Sequence, residues 1–563
     1  MSSIAFEPAA QAAARAPRPA STLLVVRDAP AGIEVLLLLR AERGDHNSGA
    51  WVFPGGIVDP RDRDGHACTG ADDAALSKRL GLESGGLDYL VAALRECFEE
   101  AGLLFAFDAN GAALPPETVA ALQAWRGPLH RSERTLGELC AQAGLRLAVE
   151  RFVYLSHWLT PLGRMKRFDT RFFVAEAPAG QTVAHDGTEM VAHQWLRPAD
   201  ALARGDALKL MGPTRATLAS IAQFETAAAL LAWAREAREV PRIFPRIGIG
   251  SRGERPVMPG EHAWAEVGRL DPLGHGRACY DIQPGVAVRL SPRLIRVTAN
   301  NGSVMTGPGT NTYLVGGGAR NEWAVIDPGP LDADHVRAVL AAAPGAIRWI
   351  FATHTHMDHS PATPLLKAQT DALVHGRVAA HPQWQDTGFA PDRPLAGGER
   401  IVLNDDTTLR VIHTPGHASN HLCYLLEEES TLFTGDHVMQ SSTVVINPPD
   451  GDMAAYIASL RALSHELGDS LEWLAPGHGF LMEQPKRAFD HIVAHRLKRE
   501  AKVLAALHEC AAATPDELLA SVYDDVPARM HPVALRSLSA HLVKLRDDGA
   551  AIEDAGRWSA IAP

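Results

Sequence analysis

The sequence predicts a multidomain chain of α/β and α+β domains closed by a small helical tail, and three observations carry that expectation. At 563 residues the chain has room for about three to five domains. Short apolar runs alternate with helical patterns in two separate stretches, divided by a Pro- and Gly-rich segment at 241–292. Beyond 490 the pattern turns to three helices and a short hairpin. A content of 46% hydrophobic and 21% charged residues is that of an ordinary soluble globular protein. Its net charge of -12 gives no global pull toward nucleic acid or an anionic membrane. The six cysteines are scattered without C-x-x-C spacing, so neither a disulfide framework nor a structural zinc site is expected, and a reducing cytoplasm is the expected setting. No apolar run approaches the ~18 residues of a membrane span, so no membrane partner is expected.

Residues 1–21 are rich in Ala and Pro but lack the apolar core of a secretory signal, and read as a disordered tail. The runs 23–26 and 33–39 are strand-length. Trp51-Val52-Phe53-Pro54-Gly55-Gly56 follows, then Leu94-Arg95-Glu96-Cys97-Phe98-Glu99-Glu100-Ala101-Gly102-Leu103. Leu90, Leu94, Cys97, Phe98 and Ala101 recur at helical spacing, whereas Glu96, Glu99 and Glu100 share another face. Such a helix buries one side and presents three carboxylates on the other. Adjacent glutamates repel unless something positive sits among them, and hard oxygen ligands of this kind suit Mg²⁺ or Mn²⁺ holding a phosphate. Residues 214–238 read as one helix, anchored by Leu218, Ile221, Leu230, Leu231 and Trp233, that closes a domain over 22–240.

This constellation resembles the Nudix box, G-x5-E-x7-R-E-u-x-E-E-x-G-u with u apolar, whose R-E-u-x-E-E portion Glu96, Glu99 and Glu100 match. Gly56 and Arg95 lie 39 positions apart where the box has 14, so about 25 residues are inserted, and Asp62 stands where the first glutamate should be. A similar insertion, and a stretch like Arg167-Phe168-Asp169-Thr170-Arg171-Phe172-Phe173, occur in the subgroup related to the peroxisomal coenzyme A diphosphatases. The resemblance implies a Nudix α/β/α sandwich hydrolysing a diphosphate in a nucleotide or coenzyme A derivative. Glu96, Glu99 and Glu100 would be its metal ligands and catalytic groups. Glu189 is a further candidate carboxylate. Gly248-Ile249-Gly250-Ser251-Arg252-Gly253 matches the dinucleotide fingerprint in letters only, because Pro245 and Pro256 deny it the flanking strand and helix. The stretch 241–292 is therefore expected to be a connector.

The next domain, 293–490, is organised around Thr353-His354-Thr355-His356-Met357-Asp358-His359, directly after the apolar run 347–352. Four side chains in one tight loop cannot all reach one ion, so two ions are expected, His354 and His356 on one and Asp358 and His359 on the other. Downstream ligands are offered at three more strand ends, each beside a glycine: Gly416-His417, Gly435-Asp436 and Gly477-His478. A helix is expected at 332–343.

Over about 294–484 these motifs resemble the metallo-β-lactamase fold, an αββα sandwich, in its glyoxalase II and RNase Z-like dinuclear branch. The resemblance implies two Zn²⁺, one on His354, His356 and His417, the other on Asp358, His359 and His478, with Asp436 bridging and Asp327 behind them. Asp358 would be both ligand and catalytic group. A bridging aspartate and a histidine at 359 argue against antibiotic hydrolysis.

The tail, 491–563, reads as a winged helix, with helices at 496–513, from a Thr514 cap, and at 532–547, then a hairpin over 551–561. Together with Thr414-Pro415-Gly416-His417-Ala418-Ser419-Asn420-His421, it resembles the mitochondrial β-lactamase-like endoribonuclease group. Nine basic residues against ten acidic ones make it a poor phosphate surface, which favours packing or homo-oligomer formation, although Arg536, Lys544 and Arg546 keep nucleic acid open locally. The chain is thus expected to be a two-centre hydrolase. Its zinc pair would cleave an ester or single-stranded RNA, the alternative being a thioester, and its Nudix half a small-molecule diphosphate or coenzyme A derivative. A reading of another class is a nucleotide-sensing DNA regulator, against which an intact zinc ligand set argues.

Overall fold

The computed structural model describes residues 16–42, 48–236, 239–440 and 443–561, in two compact units divided at 246/247. In the first unit Arg18–Ala29 pairs antiparallel with Gly32–Arg40 and parallel with Phe168–Glu176. Val153–Leu159 and Met190–Leu196 extend the sheet through further antiparallel pairs. Alternation puts Leu23, Val25, Leu36 and Leu38 on one face, where they pack on Leu90, Leu94, Phe98 and Ala101 of the helix Gly86–Ala101. Each such side chain is worth about 2 kcal/mol of burial. Gly102, at φ 73°, ends that helix in the left-handed conformation glycine tolerates best.

Two expectations for this unit need correction. The tail does not extend to 21, because Arg18–Ser21 are strand and the buried Ser21 hydroxyl donates to the Tyr89 carbonyl at 2.7 Å; residues 1–15 lie outside the described residues. The helix expected over 214–238 is two helices, Gly212–Ile221 and Ala227–Arg235. Thr226 caps the second by accepting from Ala229 N–H at 3.2 Å. Residues 237 and 238 lie outside the described residues.

The second unit contains a two-sheet sandwich. One sheet orders the strands Ala287–Ser291, Leu294–Thr298, Asn311–Gly317, Glu322–Ile326, Ala346–Phe351 and Leu373–Gly376; the other orders Arg400–Asn404, Thr407–His413, Leu422–Leu426, Thr431–Gly435 and Trp473–Pro476. Tyr313, Phe351, Leu409, Tyr424 and Phe433 fill the layer between them. The outer face of the first sheet packs on the helices Ala333–Ala342 and Thr363–Thr370, through Val336, Val339 and Leu366. That of the second packs on Met453–Glu466 and Pro485–His508, through Tyr456, Leu460 and Phe489. The layers are therefore helix, sheet, sheet, helix. The helix expected at 332–343 spans Ala333–Ala342 behind an Asp332 cap.

The stretch expected to be a connector is folded. Arg246–Gly250 and Gly253–Val257 form a hairpin across the rejected glycine motif, and Trp264–Leu270 is a helix. Its Glu266, 1% exposed, holds Arg296 of the sandwich through two bonds of 2.6 and 2.9 Å. The tail helix expected at 496–513 begins at Pro485 and ends at His508, so it runs unbroken across the expected junction at 490/491. Pro515–Val522, capped by Thr514, His531–Asp547 and the hairpin Ala551–Asp554 with Arg557–Ala560 complete the tail around Leu518, Leu538, Leu542 and Trp558.

The buried polar groups make two effects measurable. Glu266→Ala leaves Arg296 buried without its carboxylate and should cost about 3 kcal/mol of unfolding free energy, read from urea titration. Burial holds His335 down to about 4, against 6.5 when exposed. The unfolded chain therefore takes up the proton first, so stability is complete above pH 6.5 and falls by up to about 3 kcal/mol as the pH drops toward 4. His335→Gln should flatten the urea midpoint across that window.

Candidate metal centre

Every candidate ligand of the second unit sits just past the carboxyl end of a strand. His354, His356, Asp358 and His359 follow Ala346–Phe351, His417 follows Thr407–His413, Asp436 follows Thr431–Gly435, and His478 follows Trp473–Pro476. The first strand belongs to one sheet and the others to its partner, so the residues meet where the sandwich layers end. Close approach needs glycine: a Cβ on Gly477 would lie 2.7 Å from Asp436 Oδ1, and one on Gly435 2.5 Å from Thr353 Oγ1.

The side chains gather into two sets, His354 with His356 and His417, and Asp358 with His359, Asp436 and His478, the ligand atoms of each within 4.8 Å of one another. In the first, His354 Nε2 and His417 Nε2 stand 2.9 and 3.0 Å from His356 Nδ1. In the second, His359 Nε2 and His478 Nε2 lie 3.3 and 3.2 Å from Asp436 Oδ1. Asp436 Oδ2 faces the first set, 3.7 Å from His417 Nε2, so one carboxylate addresses both.

A layer behind fixes which nitrogen points inward. His417 Nδ1 donates to the Val445 carbonyl at 2.7 Å, His478 Nδ1 to the Gly309 carbonyl at 3.1 Å, and His359 Nδ1 to Asp327 Oδ2 at 2.9 Å. Thr353 Oγ1 donates to the same Asp327 oxygen and takes the Nδ1 proton of His354. Each of these four rings therefore turns its Nε2 toward the site. Thr310 Oγ1 donates to Asp358 Oδ2 at 3.1 Å. The Thr310 hydroxyl and the Val445 and Gly309 carbonyls escaped the sequence reading; only the glycine-rich run 307–309 before Thr310 hinted at a close approach.

Burial pushes His354 well below the usual imidazole range and His356 down to about 3, so both are neutral donors near neutral pH. Burial would also lower His478, but Asp436 and Asp358 hold it up at about 9. His359 is likewise raised against burial by Asp358, Asp436 and Asp327. Asp436 lies well below its usual value, because His478 and His359 outweigh a burial that would raise it. His359 Nε2 and Asp436 Oδ1 are buried without hydrogen-bond partners. A cation between them satisfies both atoms, so the residues fit a pair of divalent ions.

In the first unit the glutamates are more enclosed than expected. Glu99 and Glu100 are 4% and 3% exposed, Glu96 is half-buried, and Arg95 stands among them. Arg95 Nη1 donates to Glu96 at 2.9 Å, and its Nε to Asp62 Oδ1 at 2.7 Å. Burial raises Glu96, lifts Glu99 to about 7 and holds Glu100 well above the usual carboxylate range, Glu96 adding to the last. Gly55 N–H donates to Glu100 Oε2 at 2.9 Å, and a Cβ on Gly56 would strike Glu96 Oε1. Glu189 is paired with Arg40 at 2.8 Å. Among the described residues, only the two His/Asp sets bring three or more ligand atoms within 4.8 Å, so the glutamates do not converge to that degree. Asp327→Asn should keep the backbone but weaken the orientation of His359, lowering metal affinity about 10–100-fold in chelator competition.

The metallo-beta-lactamase superfamily model matches residues 305–478, that of the NUDT19 Nudix domain 72–210, and that of the beta-lactamase associated winged helix domain 514–558. An atrochrysone carboxyl ACP thioesterase of Aspergillus chevalieri is 32% identical over 302 residues, 51% of this chain and 88% of that protein. The beta-lactamase-like protein 2 homolog of Drosophila melanogaster is 30% identical over 278 residues, 46% of this chain and 90% of that protein. A metallo-beta-lactamase family protein of Thermus thermophilus, of known structure, is 22% identical with a TM-score of 0.41, covering 48% of this chain and 100% of its own. The chain belongs to the metallo-β-lactamase superfamily, as a hydrolase in which that domain is fused to a Nudix domain and a winged helix.

Proposed function

We propose that the metallo centre hydrolyses a thioester whose thiol belongs to a phosphopantetheine carrier, and that the Nudix half cleaves a diphosphate in a coenzyme A derivative. The observation that carries the first reading is the two-faced Asp436 between the ligand sets, in a chain whose thioesterase relative aligns over 88% of its length. Thioester hydrolysis is better supported than the expected RNA cleavage. Several of the tail's cations are used within the chain: Arg499 on Asp525, Lys544 on Glu500 and Asp548, Arg546 on Asp547 and Glu553, and Arg557 on Glu517. Cations already paired are poorly placed to neutralise a phosphate backbone.

Bound by His354, His356, His417, Asp358, His359, His478 and Asp436, two divalent ions would supply Lewis acidity and an acidic water. Zn²⁺ suits these nitrogen and carboxylate donors. Asp436 sets the spacing between the two sets. Asp358, its side chain a quarter exposed and steadied by Thr310, faces solvent and takes the proton of the attacking water. Water adds to the acyl carbon, the C–S bond breaks, and the thiol leaves with a proton. In the Nudix half, Mg²⁺ or Mn²⁺ on Glu96, Glu99 and Glu100 would be completed by the substrate's own phosphates.

The test pairs two substrates with two variants. Asp436→Ala should reduce acyl-coenzyme A hydrolysis more than about 100-fold and spare coenzyme A diphosphate cleavage, with Glu99→Gln doing the reverse. Loss of single-stranded RNA cleavage in Asp436→Ala, with thioesters untouched in the wild type, would overturn the thioester assignment.

A further inference from the structure

The winged helix reaches the mouth of the metallo centre through one residue pair. The Arg536 guanidinium, on the helix His531–Asp547, lies 4.8 Å from the ring centre of Trp384. Trp384 is 53% exposed despite its size and sits at φ 68°, a conformation unusual for a bulky side chain. Strain of this kind persists only where neighbours impose it. They do so here: Gln385 bridges His356, takes a 2.6 Å hydrogen bond from Thr355 Oγ1 and donates to Asp450 Oδ2 at 2.9 Å, while Asp386 N–H donates to the Thr355 carbonyl. The loop is thus locked to the residues beside the candidate ligand His356, and it turns the indole outward. Met357, 58% exposed within the ligand loop itself, adds an apolar surface at the same mouth.

Arg536 differs from the other cations of its helix. Lys544 and Arg546 are held by carboxylates, whereas Arg536 forms no ion pair with any described residue. A guanidinium lying over an aromatic face still has N–H groups to offer, and a guanidinium can bind a phosphate through two hydrogen bonds.

We propose that Trp384 and Arg536 form an anion-binding rim that takes the diphosphate of a coenzyme A thioester while its acyl end lies at the ligand sets. The assignment rests on the thioester reading and names its carrier. The charge and planarity of the rim suit a phosphate, and the same chain carries a Nudix domain, a fold for diphosphate-bearing small molecules. The winged helix would then act as a wall of the active site.

The experiment compares one acyl group on coenzyme A and on pantetheine, which lacks the phosphates. The wild type should favour acyl-coenzyme A in kcat/KM. Arg536→Ala should shrink that preference about tenfold, mainly through KM, with Arg536→Lys intermediate and Trp384→Ala changing it in the same direction. Circular dichroism melting checks that each variant is folded. A wild type that cleaves both thioesters equally, or an Arg536→Ala that loses both in proportion, overturns the rim and leaves the thioesterase standing. A wild type that cleaves neither removes the thioesterase reading and the rim with it.

Discussion

A buried carboxylate between two groups of imidazoles is the constraint on which the second unit depends. Asp436 has almost no water around it, and its Oδ1 finds no hydrogen-bond donor. Such a group persists in a fold only when positive charge faces it. Protonated His359 and His478 supply that charge in the bare protein, and divalent ions supply it when bound. The surrounding design follows: strands from two sheets end at one place, glycines thin the backbone there, and a ring of acceptors turns each Nε2 inward.

The first unit handles crowded charge in another way. Its glutamates sit on a helix with Arg95 beneath them, and the guanidinium reaches Asp62 as well as Glu96. One cation binds the glycine-side turn to the glutamate helix across an insertion of about 25 residues. Burial raises both Glu99 and Glu100, so each keeps its proton more readily than an exposed glutamate does. A metal held there would have to displace protons, whereas the neutral imidazoles of the first histidine set need no such exchange.

Much of the site was legible because its chemistry lies in side chains at strand ends. Histidine and aspartate beside glycine, after apolar runs of strand length, mark ligands whatever the fold around them. The layer behind was not legible, because Val445 and Gly309 contribute carbonyls, which every residue has. The role of Asp62 stayed open in sequence because the insertion hides its distance from Arg95. The helix over 214–238 was misread because apolar spacing runs on through a break that only the Thr226 cap marks. Residues 241–292 looked like a linker because Pro and Gly dominate them, while their attachment depends on Glu266 meeting an arginine 30 positions away.

That attachment bears on how such a fusion could be inherited. A sandwich taken from 293 onward would carry Arg296 into its interior with no carboxylate to receive it, and would lose the helix Trp264–Leu270 that covers one edge. The segment able to move between proteins as a whole therefore starts near 247, ahead of the first strand of the sandwich. Recombination in the Pro-rich stretch would separate the two domains cleanly only on its amino-terminal side.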